Sequence, residues 1–524
     1  MAVASPTVLT FVGAVALLVA YAVKCLSRKP LPPGPKGLPI LGNINDLPKP
    51  GELEYLHWLK HKDLYGPVSS ITVLGKTFVF INDAQIALEL LTNRSGTHSA
   101  RPHMHFASEM VGWKDFIAFA GYTDTFKLHR RNFAKIAGST TALNKFFDRT
   151  QEEEAARFVL NLLKSPENLN DHIKNEAGAV ILKITYGYTV DPNGNDPLVN
   201  IAGQTMAEFS EATNPGKWPV DILPLLERLP DWLPGADFKR TARNMAAQLH
   251  KTTELPYHLV KQQMRDNRHK PSFMSQAIET CDPAQEYLHK ITATSMYLGG
   301  ADTTVSALQT FFLVMMLFPE VQKKAQEELD RVAPGRLPTS ADRDDLPYIR
   351  ALVTETHRWH PVGPMAIPHA ATREDTINGY RIPKGALLLP NTWWFTHDPA
   401  IYPEPMKFNP DRFTSEKPQP EPRKFTFGYG RRVCPGAHVA DNALFLTIAQ
   451  VLSVFNIAKP VENGKVVEPE VKFEPGVVSR PAPYRVAITP RSEAHRRIIE
   501  RVDEIYPREK SDRDELMDVK WETS

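Results

Sequence analysis

Three patterns in the sequence predict a mainly α-helical fold with a minor β lobe. Apolar residues recur at helical spacing from about Asp83 to about His360. Ahead of that run, residues 68–73 and 77–81 flank Gly75 as a β-hairpin. Beyond Pro361 the pattern becomes irregular, with short strands expected at 386–389 and 484–488. The 524 residues contain no Ser/Gly-rich linker and no repeat, so one large domain is expected where length alone allows about three or four.

Taken in chain order, the first element is apolar. No charged residue occurs from 2 to 23, and residues 8–23 with their flanks are long enough for a tilted membrane span. A cleaved signal peptide competes with this reading, but there the charges precede the apolar core, whereas here Lys24, Arg28 and Lys29 follow it. Residues 1–24 are therefore expected to be a single-pass anchor of the endoplasmic-reticulum type, with the bulk of the chain on the cytosolic side. Residues 25–40 form a basic, proline-rich hinge, because Pro30-Leu31-Pro32-Pro33-Gly34-Pro35 cannot be helical. Residues 41–490 make the catalytic domain. The charged tail, 491–524, is read as either a surface helix or disorder. The stretch from Trp218 to Leu226, with Trp232 and Leu233, either dips into the bilayer or packs in the core.

Composition narrows the function. Lys and Arg number 62 against 60 Asp and Glu, a formal charge of +2, which gives no electrostatic case for nucleic acid. Three cysteines, Cys25, Cys281 and Cys434, are too few for a disulfide framework and fit a reducing compartment. Cys25, beside the apolar segment, is either palmitoylated or a plain thiol.

Three segments carry chemistry. Residues 288–318 read as one long apolar helix ending before Pro319, a first-turn proline. Inside it, Gly299-Gly300-Ala301-Asp302-Thr303-Thr304 are poor helix formers, giving either a break with Asp302 as a new N-cap or a functional kink. Glu355 and Arg358 share a helix face, as an exposed pair or a buried one. Cys434 sits in the glycine-rich run Phe427-Gly428-Tyr429-Gly430-Arg431-Arg432-Val433-Cys434-Pro435-Gly436, before a helix. The helix N-terminus with Arg431 and Arg432 is expected to bias its sulfur toward thiolate, which suits axial ligation of haem iron.

In order and spacing, these segments resemble the cytochrome P450 family, in the style of its microsomal fungal secondary-metabolism members, the O-methylsterigmatocystin oxidoreductase group. The match covers nearly the whole chain. It implies the P450 fold around haem b, with Cys434 as axial iron ligand in a loop that includes Phe427 and Gly436. It implies Arg432, Arg130 and His369 as partners of the haem propionates. Phe126 stands where that family usually has tryptophan, so an indole donor is missing. The resemblance assigns Thr303 a hydroxyl near dioxygen, Asp302 a proton relay, and Gly299 and Gly300 the role of leaving room. It makes Arg412 the third member of a buried cluster with Glu355 and Arg358. The walls of the substrate pocket are expected at 103–119, 362–367 and 475–478.

The implied activity is insertion of one oxygen atom of O2 into an apolar small molecule, by hydroxylation or epoxidation. Electrons would come from NADPH through a flavoprotein reductase, with cytochrome b5 as a second candidate donor and membrane lipid as the other partner. The setting is secondary metabolism or xenobiotic oxidation. Two alternatives stand beside it: a haem-thiolate isomerase or dehydratase, and a non-catalytic haem-binding membrane protein. The acid–alcohol pair Asp302-Thr303 argues against the isomerase.

Overall fold

Proline sets how the chain enters the fold. The Pro32 carbonyl accepts from Ser70 Oγ (2.6 Å), and that of Pro33 from the Ser70 amide (2.9 Å). A Cβ on Gly34 would lie 1.9 Å from the Ser70 carbonyl oxygen, so only glycine lets the segment approach this closely. The Pro30 carbonyl accepts from the Arg381 amide (2.8 Å). Residues 30–34 of the expected hinge are thus pinned along a strand. This computed structural model describes residues 29–137, 144–192, 194–214, 216–280 and 283–521. The expected anchor at 1–24, Cys25 and Cys281 lie outside these residues.

The minor lobe begins with α1 (Glu54–Tyr65), whose Trp58 stacks on Phe80 with ring centroids 3.7 Å apart. Strands β1 (Val68–Val73) and β2 (Lys76–Ile81) pair antiparallel across Leu74-Gly75. β2 then pairs in parallel with Leu387–Pro390, which pairs antiparallel with His369–Ala370. The strand expected at 386–389 forms with its start moved by one residue, and that at 484–488 appears as Ala487–Pro490.

The helical lobe comprises α2 (Asp124–Ala137), α3 (Asn144–Lys164), α4 (Leu169–Tyr186), α5 (Pro197–Ala212), α6 (Asp237–Arg265), α7 (Glu286–Leu317), α8 (Pro319–Val332), α9 (Pro347–Trp359) and α10 (Ala437–Val454). α7 is the axle. Phe311, Phe312 and Leu308 on it pack with Phe158 of α3 and with Leu444 and Ile448 of α10. Each such burial contributes about 1.5–3 kcal/mol, which outweighs the roughly 1 kcal/mol cost of a mid-helix glycine. α7 accordingly runs unbroken through Gly299–Thr304, and Asp302 is not an N-cap. Hydroxyls of Thr292, Thr294, Thr303 and Thr310 donate to carbonyls four residues back and stay inside the helix. Among the described residues, two segments are apolar and long enough to cross a membrane, Pro283–Leu317 and Ala437–Val454, but both are largely buried in the protein core.

Of the two readings of the tail, the helical one forms, and it is more deeply seated than a purely superficial helix. After α11 (Glu493–Glu500) and a further turn comes α12 (Arg513–Met517), and Ile499, Val502 and Leu516 are buried. The tryptophan-rich stretch divides by residue. Trp218 is core: it stacks on Phe106 (3.8 Å) and donates Nε1–H to the Glu211 carbonyl (3.0 Å). Ile222, Leu223, Leu225 and Trp232 are exposed. Lys76, at the tip of the β1–β2 hairpin, bonds the Asp221 carbonyl (3.0 Å), while Leu74 beside it donates to the Leu41 carbonyl (3.3 Å). Exposed Leu38, Ile40 and Leu41 therefore flank the same hairpin tip as the 222–232 stretch.

Candidate active site

A cavity of about 400 Å³ lies between α7 and the Cys434 loop. Its wall is mostly apolar. α4 supplies Val180, Ile181 and Ile184, and α5 supplies Met206 and Phe209. The three expected wall segments all contribute, through Trp113 and Phe116, Val362 and Ile367, and Val477 and Val478. The α4 and α5 residues were not anticipated, because nothing in their helical spacing separates a cavity face from a core face.

Backbone geometry builds the cysteine loop. Gly430 has φ +50°, and a Cβ there would lie 2.5 Å from the Leu91 carbonyl oxygen; Gly428 has φ +87°. These turns bring the Cys434 amide to the Phe427 carbonyl (2.7 Å) and leave Gly436 capping α10. Phe427, Cys434 and Gly436 all line the cavity. Cys434 presents its surface to the cavity yet sits deep in the fold. Burial pushes its thiol up, against the pull of a hydrogen bond from the Gly436 amide and of the Arg130 charge. The expectation that Arg431 and Arg432 favour the thiolate is corrected. Arg431 lies over the Tyr122 ring (4.5 Å), and Arg432 turns to the carbonyls of Ser99, Ile117 and Ala120.

Among the described residues, the basic side chains in the cavity wall are Arg101, Arg130, Arg432 and His369, with His357 as a fifth. Burial pushes Arg432 down to about 10, with Arg130 adding repulsion. Burial and the Arg432 charge likewise hold Arg101 well below the usual guanidinium range. Arg130 bonds the Val433 carbonyl (2.5 Å), and His129 next to it ties α2 to Thr292 of α7 (2.7 Å). Phe126 is buried with its ring face 3.9 Å from the Arg432 guanidinium, so an aromatic face stands where an indole donor was missing. His369 lies 2.7 Å from the His98 carbonyl through Nδ1, which makes Nδ1 the donor; burial, then Arg101, brings its pKa to about 3.

Arg101 was not legible in the sequence. It reaches this group because Ala100 bridges Ala370, 270 positions away, which sets Arg101 near His369. It donates to the Ile367 and Pro368 carbonyls (2.6 and 2.8 Å), and its buried Nε has no partner among the described residues. Among the described residues, Glu176 is the one carboxylate in the wall, and it accepts from Thr447 (2.6 Å). Crowded cations beside apolar walls fit a planar apolar group bearing carboxylates. Haem b has that chemistry, and Cys434 is placed to ligate its iron.

On α7, Gly299, Gly300, Thr303, Thr304 and Ala307 face the cavity. A Cβ on Gly299 would meet nothing within 4 Å, whereas one on Gly300 would strike Ile181 Cγ1 at 2.8 Å. Gly299 thus leaves room in the cavity, but the bareness of Gly300 serves packing against α4. Thr303 Oγ1 donates to the Gly299 carbonyl (2.7 Å). Asp302 does not line the cavity. Its carboxylate accepts from Arg480 (2.8 Å), in the chain just past Val477 and Val478.

Behind the cysteine loop, Arg358 grips Glu355 with two bonds (2.6 and 2.9 Å), and both side chains are fully buried. The Asn409 amide donates to Glu355 (2.8 Å), and Arg412 Nε lies 3.4 Å from it. Arg358 and Arg412 also share the Lys407 carbonyl, so the cluster fixes the irregular segment leading to the cysteine loop.

Comparison with known proteins accords with this geometry. The family model for cytochrome P450 matches residues 32–488. The chain is 43% identical over 502 residues to cytochrome P450 monooxygenase ppsD of Aspergillus oryzae, covering 94% of this chain and 95% of that protein. It is 40% identical to the multifunctional cytochrome P450 monooxygenase af510 of Aspergillus fumigatus, covering 94% of each. It is also 40% identical to O-methylsterigmatocystin oxidoreductase of Aspergillus flavus, covering 93% of this chain and 92% of that protein. With the cavity, the cysteine loop and a match of this extent, the chain belongs to the cytochrome P450 family.

Proposed function

We propose that this P450 monooxygenase oxidises an apolar small molecule bound against Val180, Phe209, Val362 and Val477, inserting one oxygen atom of O2 and releasing the other as water. NADPH supplies the two electrons through a reductase. The observation that carries the reading is the placement of Cys434 and Thr303 on one cavity, beside a cluster of cations. When bound, haem would supply the activation of O2, with Cys434 as the residue that would ligate its iron. Arg101, Arg130, Arg432 and His369 hold its carboxylates. His369 can donate from Nε2 only as the imidazolium, since Nδ1 is committed to His98, so an anion there favours proton uptake. Gly299 leaves space over the reacting centre, and the apolar wall excludes water. Thr303 holds a proton at Oγ1 and can hand it into the cavity by rotating away from the Gly299 carbonyl. Asp302, once released from Arg480, can take up a proton from solvent and pass it to Thr303.

Residues 1–24 act in this reading as an endoplasmic-reticulum anchor. The exposed apolar residues at 38–41 and 222–232 support membrane contact beside it. The test of the site is spectroscopic. The reduced CO complex shows the red-shifted Soret band of thiolate-ligated haem, and Cys434→Ser abolishes it together with turnover. A Cys434→Ser protein that kept the band would sink the assignment. Turnover without NADPH or O2 would turn the reading to an isomerase.

A further inference from the structure

The family match ends at residue 488, yet the chain beyond it is tied down along its length. Arg157 of α3 donates to the Pro507 carbonyl (3.4 Å). Glu509 pairs with Lys183 of α4 and with Lys270. The Thr189 amide donates to Asp512 (2.7 Å), the Asp512 amide to the Thr189 carbonyl (3.0 Å), and Arg513 to Asp191 (2.5 Å). On α6, Gln263 donates to Asp512 (3.3 Å) and Glu515 (3.1 Å), and Arg268 just beyond pairs with Glu515. Leu516 is buried in the same apolar cluster as Phe209 and Leu249, and the Trp521 ring lies 5.9 Å from that of His250. Gln263 and His250 are thirteen residues apart, about 20 Å along α6.

One end of this tie is on a helix of the cavity wall and the other on a helix packed against that wall. α6 packs against α5, which supplies Met206 and Phe209 to the wall, and α4 supplies Val180, Ile181 and Ile184. We propose that residues 507–521 are a strap that holds the outer roof helix α6 to the wall helix α4 and so sets how fast the cavity opens to ligand. The inference rests on the reading of this cavity as the substrate site. The strap brings the acids Glu509, Asp512 and Glu515 against the bases Lys183, Lys270 and Arg268. Burial raises Glu509, but Lys183 and Lys270 outweigh it and bring its pKa to about 2, so the clasp stays charged at neutral pH. Glu509 and Arg268 are about half exposed, which leaves their pairs open to screening by salt.

A strap of this kind changes rates of entry and exit together and leaves affinity alone, because it touches no ligand. The test uses the full-length, haem-loaded protein and 4-phenylimidazole as ligand, followed by stopped-flow absorbance at the Soret band. Two variants are compared with wild type: the triple change Glu509→Gln, Asp512→Asn, Glu515→Gln, and a chain ending at Tyr506. The expected result is that on- and off-rates both rise about tenfold in each variant with Kd unchanged within about twofold. In wild type, raising salt from about 20 mM to about 500 mM speeds both rates, and the triple variant has lost that response. If the truncated chain does not fold, the triple variant decides. Unchanged rates in a folded triple variant overturn the proposal, as does a change in Kd without a matched change in both rates. A failed monooxygenase assay with normal azole binding would count against the proposed function and not against the strap.

Discussion

Cys434 is a thiol that burial pushes up, so in the proposed function the charge its sulfur needs would come from the iron it would ligate and not from Arg431 or Arg432. That division of labour runs through the residue scale. Thr303 has its hydroxyl committed to the Gly299 carbonyl until something in the cavity competes for it. Thr303→Ala should leave haem, thiolate ligation and substrate binding intact, while product formed per NADPH falls by about 10²-fold and peroxide release rises. An unchanged ratio removes Thr303 from the proton path. Glu176 supplies a second expectation. Burial raises its carboxyl to about 7, with Glu154 adding repulsion and Thr447 opposing, and its Oε2 has no partner among the described residues. A carboxyl raised on folding stabilises the protein fully below its unfolded pKa, and that contribution is lost as pH rises through about 7. Glu176→Gln should therefore be near neutral at pH 5 and stabilising by up to about 3 kcal/mol at pH 8, measured by denaturant unfolding. An equal effect at both pH values would show that Glu176 does not titrate in this range. What could be read in the sequence at this scale was whatever is local: Cys434 with its glycines, and Glu355 with Arg358 one turn on. Arg101 was hidden because its surroundings are made by pairing to Ala370, and the Arg480 that holds Asp302 lies 178 positions away.

α7 shows why patterns of residue type mislead over elements. Two glycines, an aspartate and two threonines argue for a break by propensity, but the helix is buried over most of its length and its threonines bond back within it. Tertiary burial exceeds propensity here by several kcal/mol. The two glycines, alike in sequence, then separate. Gly299→Ala should be neutral or stabilising by up to about 1 kcal/mol in unfolding, yet weaken ligand binding by filling the cavity. Gly300→Ala should destabilise by about 1–3 kcal/mol because its Cβ meets Ile181. Equal unfolding behaviour of the two variants would contradict this assignment. The helical lobe was legible because its apolar periodicity is long. Only part of the strand lobe was legible: the strands at Leu387–Pro390 and Ala487–Pro490 moved by one to three residues at their edges because they are defined by their partners, and short ones such as His369–Ala370 and Asp375–Ile377 were not anticipated. For the tail, a surface helix was one of two readings, but its docking was not legible, since the charges that look solvated are the ones that dock it: Glu515 and Arg513 find Arg268 and Asp191 opposite.

Over the whole molecule, exposed apolar residues gather at 38–41 and 222–232, where the β1–β2 hairpin joins the two stretches. Deleting residues 2–29 should move the protein from the integral to the peripheral membrane fraction without loss of haem, and replacing Trp232 and Leu225 by Ser in the deleted form should make it soluble. Integral behaviour of the deleted form in carbonate extraction would contradict the anchor. The contacts of Pro30, Pro32 and Pro33 with Arg381 and Ser70 bear on the same scale. They hold the chain from residue 30 onward, so an anchor at 1–24, as proposed, would be separated from that contact by five residues, a contour of at most about 18 Å. On so short a leash an enzyme anchored as proposed would draw its molecules from oil rather than from water. What counts as dilute or abundant for it is set by how a compound divides between the two, and a poorly soluble compound arrives concentrated.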